Sequence, residues 1–228
     1  MILASLPRVR IANTPTPLQP LPNLTKHLGG PEILVKRDDL TGLAFGGNKA
    51  RKLEYLMADA LKHKADIIVT GAGFHSNWCT QTAAACRKLG LPVILIKNAP
   101  EDGYDPQEWD GNHLIHHLTG AEIITVKENR NEAQAKIVQD LKDQGRNPYT
   151  MPVGGSTPLG AAGYANAMLE LYAQSVDQGT KITHLVHATG SGGTQTGLAV
   201  AAKALSTSID VVGGEADVGV EELGCSVP

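Results

Sequence analysis

Residues 45–56 read Phe45-Gly46-Gly47-Asn48-Lys49-Ala50-Arg51-Lys52-Leu53-Glu54-Tyr55-Leu56 and carry the strongest signal for the fold. It places Lys49 directly after a double-glycine turn and at the start of a predicted amphipathic helix. The positive end of a helix dipole favours the neutral amine of a lysine over its ammonium form. Because only a neutral amine attacks an aldehyde, this position suits a lysine that forms a Schiff base. From these residues alone, an ordinary glycine turn before a solvated helix remains the alternative.

Length and composition indicate a soluble globular protein. The chain has 228 residues, of which 42% are hydrophobic and 19% charged, enough to bury a substantial core. It carries 20 basic and 23 acidic residues, so its net charge is -3, and no basic tract is present. Neither nucleic acid nor an anionic membrane is therefore an expected partner.

Cysteine usage and the N-terminal sequence predict a cytoplasmic protein. Cys79, Cys86 and Cys225 contain no C-x-x-C pair and cannot all pair with one another, which is typical of a reducing compartment. Residues 1–11 lack an apolar core long enough for a secretory signal. No apolar run elsewhere approaches the length of a membrane span. We expect Cys79 and Cys86 to be buried small residues on one helix.

Short apolar runs alternate with amphipathic helical patterns almost from end to end. Strands are predicted at Glu32–Lys36, Asp66–Thr70, Pro92–Ile96, Glu122–Val126, Pro148–Pro152, Thr183–His187 and Ile209–Val212. Helices are predicted at Lys49–His63, Ser76–Leu89, Asn112–Leu118, Asn131–Gln144, Pro158–Gln174 and Thr194–Leu205. The alternation predicts an α/β fold with mostly parallel strands and helices on both faces.

A second candidate site follows the predicted strand Asp66–Thr70. Its sequence is Gly71-Ala72-Gly73-Phe74-His75-Ser76-Asn77-Trp78. Ligands of α/β sheets bind at the carboxyl ends of strands, so a Ser-Asn pair here can hydrogen-bond a cofactor oxygen. The structural alternative is that Ser76 or Asn77 serves only as the N-cap of the next helix.

A third candidate is a glycine-rich loop between the strand Thr183–His187 and an alanine-rich helix. Its residues are Thr189, Gly190, Ser191, Gly192, Gly193 and Thr194. Successive backbone N–H groups at such a turn form a phosphate cradle. The Gly-Lys-Ser/Thr ending of a P-loop is absent, and Gln195 stands where a dinucleotide fingerprint needs Gly or Ala. A small phosphate-bearing cofactor fits better, while Glu215 leaves a dinucleotide alternative open.

Three histidines on the helix Asn112–Leu118 share helical spacing but do not predict a metal site. His113, His116 and His117 have no nearby carboxylate or cysteine to complete a ligand set. We therefore expect no metal here and interpret the histidines as a solvated helix face.

The lysine turn, the Ser-Asn pair and the glycine loop together resemble fold-type II pyridoxal-phosphate (PLP) enzymes. The chain is most similar to the D-cysteine desulfhydrase and 1-aminocyclopropane-1-carboxylate deaminase family, from about Pro7 to Gly213. Supporting segments are Thr14-Pro15-Thr16-Pro17-Leu18, Lys36-Arg37-Asp38-Asp39-Leu40 and Pro152-Val153-Gly154-Gly155-Ser156. The complete loop sequence Thr189-Gly190-Ser191-Gly192-Gly193-Thr194 resembles that of the desulfhydrase branch more than that of the deaminases.

The resemblance implies a role for each motif. Lys49 would bind the cofactor covalently and move protons at the substrate carbon, with Ser76 near the substrate carboxylate or reacting carbon. Asn77 would hydrogen-bond the phenolic oxygen of the cofactor ring. The Thr189–Thr194 loop would hold the phosphate, with charge from Lys52. Trp78 departs from the family pattern, in which His or Gln follows the Ser-Asn pair, and leaves the substrate open.

The resemblance also implies two open, mostly parallel sheets in a tryptophan synthase β-like fold. We expect residues 1–50 with 157–228 to form a large cofactor domain, and residues 51–156 a small α/β domain. Family members continue for roughly 100 residues beyond Pro228, so we expect the large domain to be incomplete at its C-terminus. The tail 214–228 departs from the family pattern. The absent part normally supplies the partner of the pyridine nitrogen.

The resulting prediction is a PLP-dependent lyase or deaminase of a small amino acid. D-Cysteine is the leading substrate, with pyruvate, sulfide and ammonia as products. The alternatives are deamination of 1-aminocyclopropane-1-carboxylate, an L-cysteate sulfo-lyase activity, and a truncated module that binds PLP or a partner without turnover. Because an incomplete sheet exposes an edge, we expect a homodimer or higher homo-oligomer.

Overall fold

The structure is a computed structural model, and it describes residues 3–100, 105, 107–127 and 129–215. The tail 216–228, and Cys225 within it, lies outside the described residues. The strands are β1 (Leu18–Pro20), β2 (Leu34–Lys36), β3 (Ile67–Ala72), β4 (Val93–Asn98), β5 (Glu122–Val126), β6 (Pro148–Thr150), β7 (His184–Thr189) and β8 (Asp210–Glu215). The helices are α1 (Pro22–Leu28), α2 (Lys49–Lys62), α3 (Asn77–Leu89), α4 (Gly111–Leu118), α5 (Arg130–Asp143), α6 (Pro158–Asp177) and α7 (Gly193–Ala204).

The strands form one four-stranded sheet and two pairs. The four-stranded sheet is parallel throughout and has the order β5-β4-β3-β6. Strands β7 and β8 form a parallel pair, and β1 and β2 an antiparallel one. The predicted α/β fold with mostly parallel strands is confirmed. The division into a large and a small domain stays a prediction.

Alternating side chains of the four-stranded sheet build two separate apolar layers. Ile68 of β3 points into a core formed with α2 and α3, and the next residue, Val69, joins a core with α5. This alternation follows from the pleat of a strand, whose successive side chains point to opposite faces. Cys79 and Cys86 of α3 are buried in the first layer, as predicted. Helices α2 and α3 therefore share one face of the sheet.

A third core joins α6 and α7, includes Leu18 of β1, and has Val211 of β8 packed against it. Close backbone contact between the two helices requires glycine, since a Cβ on Gly197 would lie 2.3 Å from the Ala161 carbonyl oxygen. A loop of three residues, 190–192, connects the carboxyl end of β7 to the N-terminus of α7. Within the described ranges, no helix is both long and apolar enough to cross a membrane.

Candidate active site

Lys49 is the first residue of α2, and two glycines shape the turn before it. Gly46 and Gly47 have φ angles of 75° and 120°, in the region that favours glycine. A Cβ on Gly46 would lie 1.9 Å from the Asp39 carbonyl oxygen, so a larger residue cannot replace it. Burial lowers the pKa of Lys49, which increases the fraction of neutral amine. The turn and the burial both support a nucleophilic lysine.

Lys52 lies one helical turn beyond Lys49 and faces the start of α7. Its side chain is buried, and Nζ donates a hydrogen bond to the Gly154 carbonyl oxygen at 3.2 Å. A Cβ on Gly193, the first residue of α7, would lie 3.0 Å from the same Nζ. Burial, and then the positive charge of Lys49, lower the pKa of Lys52 to about 8. Two amines beside a helix N-terminus make a positive site that favours a bound anion.

The glycine loop is held against the turn at residues 154–156. The Ser156 hydroxyl donates to Ser191 Oγ at 2.6 Å, and a Cβ on Gly154 would lie 2.7 Å from Ser191 Oγ. Across the loop, Asn48 Nδ2 donates to Thr194 Oγ1 at 3.4 Å. The first N–H groups of a helix have no partner within it, so those of Gly193 and Thr194 are available to a ligand. The loop thus faces the N-terminus of α2.

The Ser-Asn tip (residues 74–77) lies beside the lysine turn. Ser76 is the N-cap of α3, and its Oγ accepts from the Cys79 N–H at 3.4 Å. Gln81 donates from Nε2 both to Asn77 Oδ1 at 2.8 Å and to the Gly46 carbonyl oxygen at 2.9 Å. Because Oδ1 is the acceptor, Asn77 presents Nδ2 as a donor, and a Cβ on Gly47 would lie 2.9 Å from it. The amide of Asn77 is therefore oriented to donate to a ligand oxygen.

Trp78 fills the core rather than the cleft. It is 2% exposed, and its indole Nε1 donates to Thr70 Oγ1 at 2.9 Å. The Thr70 hydroxyl in turn donates to the Met151 carbonyl oxygen at 2.8 Å. A Cβ on Gly155 would lie 2.9 Å from the outer edge of the indole ring. Trp78, which stands where the family pattern has His or Gln, therefore packs below the turn at residues 154–156.

The assembled residues fit pyridoxal phosphate. A phosphate matches the cradle at α7 with the Lys52 amine, and the phenolic oxygen of the ring matches the Asn77 donor. The aldehyde matches the amine of Lys49. Among the described residues these features are a helix N-terminus without a side-chain cap, an oriented amide and a lysine with a lowered pKa.

A family comparison agrees with this fit. The model of the family described as pyridoxal-phosphate dependent enzymes matches residues 9–227. The chain belongs to that pyridoxal-phosphate dependent enzyme family. Relatives of this PLP-family chain include a D-cysteine desulfhydrase from Klebsiella pneumoniae (strain 342), which is 42% identical over 214 residues. A Pyrococcus furiosus protein provisionally named 1-aminocyclopropane-1-carboxylate deaminase is 41% identical over 216 residues.

These relatives are longer than this PLP-family chain. The matched regions cover 92% of the chain and 65% of the Klebsiella protein, and 93% of the chain and 64% of the Pyrococcus protein. A crystal structure of an ACC deaminase homologue superposes with a TM-score of 0.85 and 38% identity, covering 93% of this chain and 64% of that one. The predicted tryptophan synthase β-like PLP fold is confirmed over this shared part.

The sequence did not predict two residues that shape the site, Gln81 and Ser156. Gln81 has a recognisable signal, since it follows Asn77 by one helical turn and that spacing brings side chains together. The contact of Ser156 with Ser191 joins distant parts of the chain, and no local pattern indicates it. Thr189 and Gly190 complete the loop at the end of β7, where Gly190 is exposed.

Proposed function

We propose that this chain binds pyridoxal phosphate and carries the cofactor site of a lyase or deaminase that acts on a small amino acid. The observation that carries the proposal is the meeting of three motifs around the N-terminus of α2. Lys49 begins that helix, Asn77 lies beside the preceding turn, and Lys52 faces the glycine loop.

Each residue has a role in this proposal. The N-terminus of α7 and Lys52 bind the phosphate, and Asn77 orients the ring by donating to its phenolic oxygen. Bound PLP supplies an electron sink for negative charge at the substrate α carbon. Lys49 holds the cofactor covalently and moves a proton at that carbon, helped by its lowered pKa. Ser76 offers its hydroxyl at the opening of the tip, next to the substrate carboxylate or reacting carbon.

D-Cysteine is the leading substrate of this proposal. The loop sequence at Thr189–Thr194, which resembles the desulfhydrase branch, supports this substrate, as does the similarity to a D-cysteine desulfhydrase. Elimination of the thiol, followed by addition of one water, would yield pyruvate, sulfide and ammonia. Deamination of 1-aminocyclopropane-1-carboxylate to 2-oxobutanoate and ammonia is the second candidate, favoured by the 41% identity to the Pyrococcus protein.

Substrate assays on PLP-loaded protein test this proposal. We expect pyruvate and sulfide in equal amounts from D-cysteine, and less 2-oxobutanoate from 1-aminocyclopropane-1-carboxylate. Lys49→Ala should abolish turnover, and Lys62→Ala, an exposed lysine of the same helix, should leave it unchanged. Turnover that survives in Lys49→Ala would show that the lysine mechanism is wrong.

Two further outcomes separate the alternatives. Cofactor attachment without turnover of either amino acid would favour a non-catalytic PLP-binding module. We also propose that the active form is a homodimer or a higher homo-oligomer, and molar mass in solution, measured by light scattering, tests this. A monomer that turns over D-cysteine would contradict the assembly proposal while leaving the cofactor site intact.

A further inference from the structure

A buried lysine and two histidines lie directly behind the Ser-Asn tip. Lys97, near the end of β4, is 0% exposed, and His113 and His116 of α4 are 2% and 0% exposed. Lys97 Nζ lies 2.8 Å from Nδ1 of His113, 3.1 Å from Nδ1 of His116 and 3.8 Å from the ring centroid of Phe74. The expectation that His113 and His116 belong to a solvated helix face is therefore wrong. Their helix packs its histidine face onto the sheet, and the Lys97 amine lies between the imidazoles.

The protonation of His116 follows from its surroundings. Burial, and then the charge of Lys97, lower the pKa of His116 to about 3, so the imidazole is neutral near pH 7. Burial lowers the pKa of Lys97 to about 8, so its amine is mostly ammonium near pH 7. An ammonium group can only donate, so Nδ1 of His116 accepts from Lys97 and Nε2 carries the proton. Nε2 lies 2.9 Å from Thr80 Oγ1 and donates to it.

The hydrogen bonds continue from Thr80 to the backbone of the tip. Asn112 Nδ2 donates to the His75 carbonyl oxygen at 3.0 Å, which turns its Oδ1 toward Thr80. The Thr80 hydroxyl lies 2.9 Å from that Oδ1 and 3.2 Å from the Ser76 carbonyl oxygen. The two carbonyl groups belong to the residues immediately before Asn77. Donation thus runs in one direction, from Lys97 through His116, Thr80 and Asn112 to the tip.

We propose that Lys97 is a positioning residue that holds Ser76 and Asn77 in place through the chain His116, Thr80 and Asn112. Each group in this series accepts a hydrogen bond from the group before it and donates one to the group after it. A change at Lys97 therefore alters the orientation of all the hydrogen bonds that follow. The low dielectric of the buried site strengthens such bonds and raises the cost of breaking one. The link to cofactor binding rests on the function proposed above, whereas the link to tip order does not.

The first test uses the cofactor-free protein. Thr80→Val removes the linking hydroxyl and keeps the side-chain shape. Thr82→Val is the matched control, since the Thr82 hydroxyl is on the same helix, buried, and without a hydrogen-bond partner among the described residues. We expect amide hydrogen exchange across residues 74–81 to rise about tenfold in Thr80→Val and in Lys97→Met, and to stay unchanged in Thr82→Val.

Rescue and nitrogen NMR sharpen this test. Thr80→Ser keeps the hydroxyl and should restore slow exchange. The ¹⁵N spectrum of His116 should show a neutral ring protonated at Nε2. Exchange in folded Thr80→Val that matches the wild type, or a His116 ring protonated at Nδ1, would overturn the proposal.

The second test uses PLP-loaded protein. If Asn77 shifts, the visible band of the lysine-bound cofactor should change position or titrate at a different pH in Thr80→Val and Lys97→Met, but not in Thr82→Val. The visible band of the double variant, Thr80→Val with Lys97→Met, should resemble that of either single variant, because both substitutions break the same series of hydrogen bonds. A wild-type protein that takes up no PLP would refute the proposed function, and the exchange experiment would still decide the role of Lys97. An unchanged band together with faster exchange would overturn the positioning of Asn77.

Discussion

Lys52 and Gly193 illustrate how single residues set the properties of the cleft. The buried Lys52 amine has a pKa near 8, lowered by burial and by Lys49, so an arriving phosphate would favour its charged form. Gly193 leaves room for that phosphate, because its missing side chain would otherwise lie 3.0 Å from both Lys52 Nζ and Ser156 Oγ. A sequence pattern predicts the glycine, but the approach of Lys52 depends on how α2 and α7 both pack against α6.

Gly193→Ala should therefore weaken PLP binding about 10- to 100-fold, since the added methyl group blocks access to the helix N–H groups. Gly30→Ala is the control, because a Cβ there meets nothing within 4 Å and the residue lies far from the site in sequence. Fluorescence titration with PLP measures both affinities. Equal affinity of Gly193→Ala and wild type would place the phosphate elsewhere.

Trp78 gives a different prediction at the same scale. Trp78→Phe loses the hydrogen bond to Thr70 and leaves a cavity under Gly155, which should lower the free energy of unfolding by about 1–3 kcal/mol. Trp109→Phe is the matched control, since Trp109 is 54% exposed and the change should cost under about 1 kcal/mol. Urea unfolding measures both. A stable Trp78→Phe protein with altered substrate preference would show that the indole shapes the pocket instead.

At the scale of elements, α2 is attached to α6 and to the segment after β2 by a buried ionic network. Arg51 donates to Asp38 at 2.8 Å and to Glu170 at 2.9 Å, and the Tyr164 hydroxyl donates to Asp38 at 2.8 Å. Burial opposes ionisation of Glu170, but hydrogen bonds from Arg51 and Lys36 outweigh it and lower its pKa to about 2. The network holds the start of α2, and so Lys49, against the core formed by α6 and α7.

The network predicts a pH-dependent stability. Because the folded-state pKa of Glu170 lies below its ordinary value of 4.5, its contribution is complete above pH 4.5 and is lost as the pH falls toward 2. Glu170→Gln should lower the free energy of unfolding by about 2–4 kcal/mol at pH 7 and by less at pH 3.5. Asp39→Asn, which breaks the exposed pair with Arg37, should change little at either pH. A Glu170→Gln effect that does not depend on pH would argue against the ionic origin.

Most elements were predictable because local periodicity determines them. Each of the predicted strands and helices overlaps an observed one, and the strand Glu122–Val126 has the observed bounds. The short elements β1 and α1 escaped prediction. Strand β1 has three residues, follows Pro17 and ends on Pro20, and α1 is a seven-residue helix with Pro22 at its start and Gly29 at its end. Such short elements depend on tertiary contacts more than on periodicity.

At the scale of the whole molecule, the candidate site is a product of long-range packing. Sequence motifs predict Lys49, Asn77 and the glycine loop as site residues, and the family resemblance predicts their roles. The hydrogen bonds that begin at Lys97 were not predicted, because the sequence suggests that a lysine on a strand and histidines on a helix face solvent. Only the packing of α4 on the sheet shows that they are in contact. Cavities of about 500 and 630 Å³ lie elsewhere, the first between β2 and β7, and neither is lined by the predicted site residues.

Borohydride reduction of the protein after incubation with PLP, followed by peptide mass spectrometry, tests whether Lys49 carries the cofactor. We predict a visible absorption band that disappears on reduction, and a phosphopyridoxyl group fixed to the peptide that contains Lys49. Lys62 on the same helix should stay unmodified at stoichiometric PLP. Absence of the band, or modification spread over exposed lysines without preference for Lys49, would show that Lys49 is not the cofactor-binding lysine.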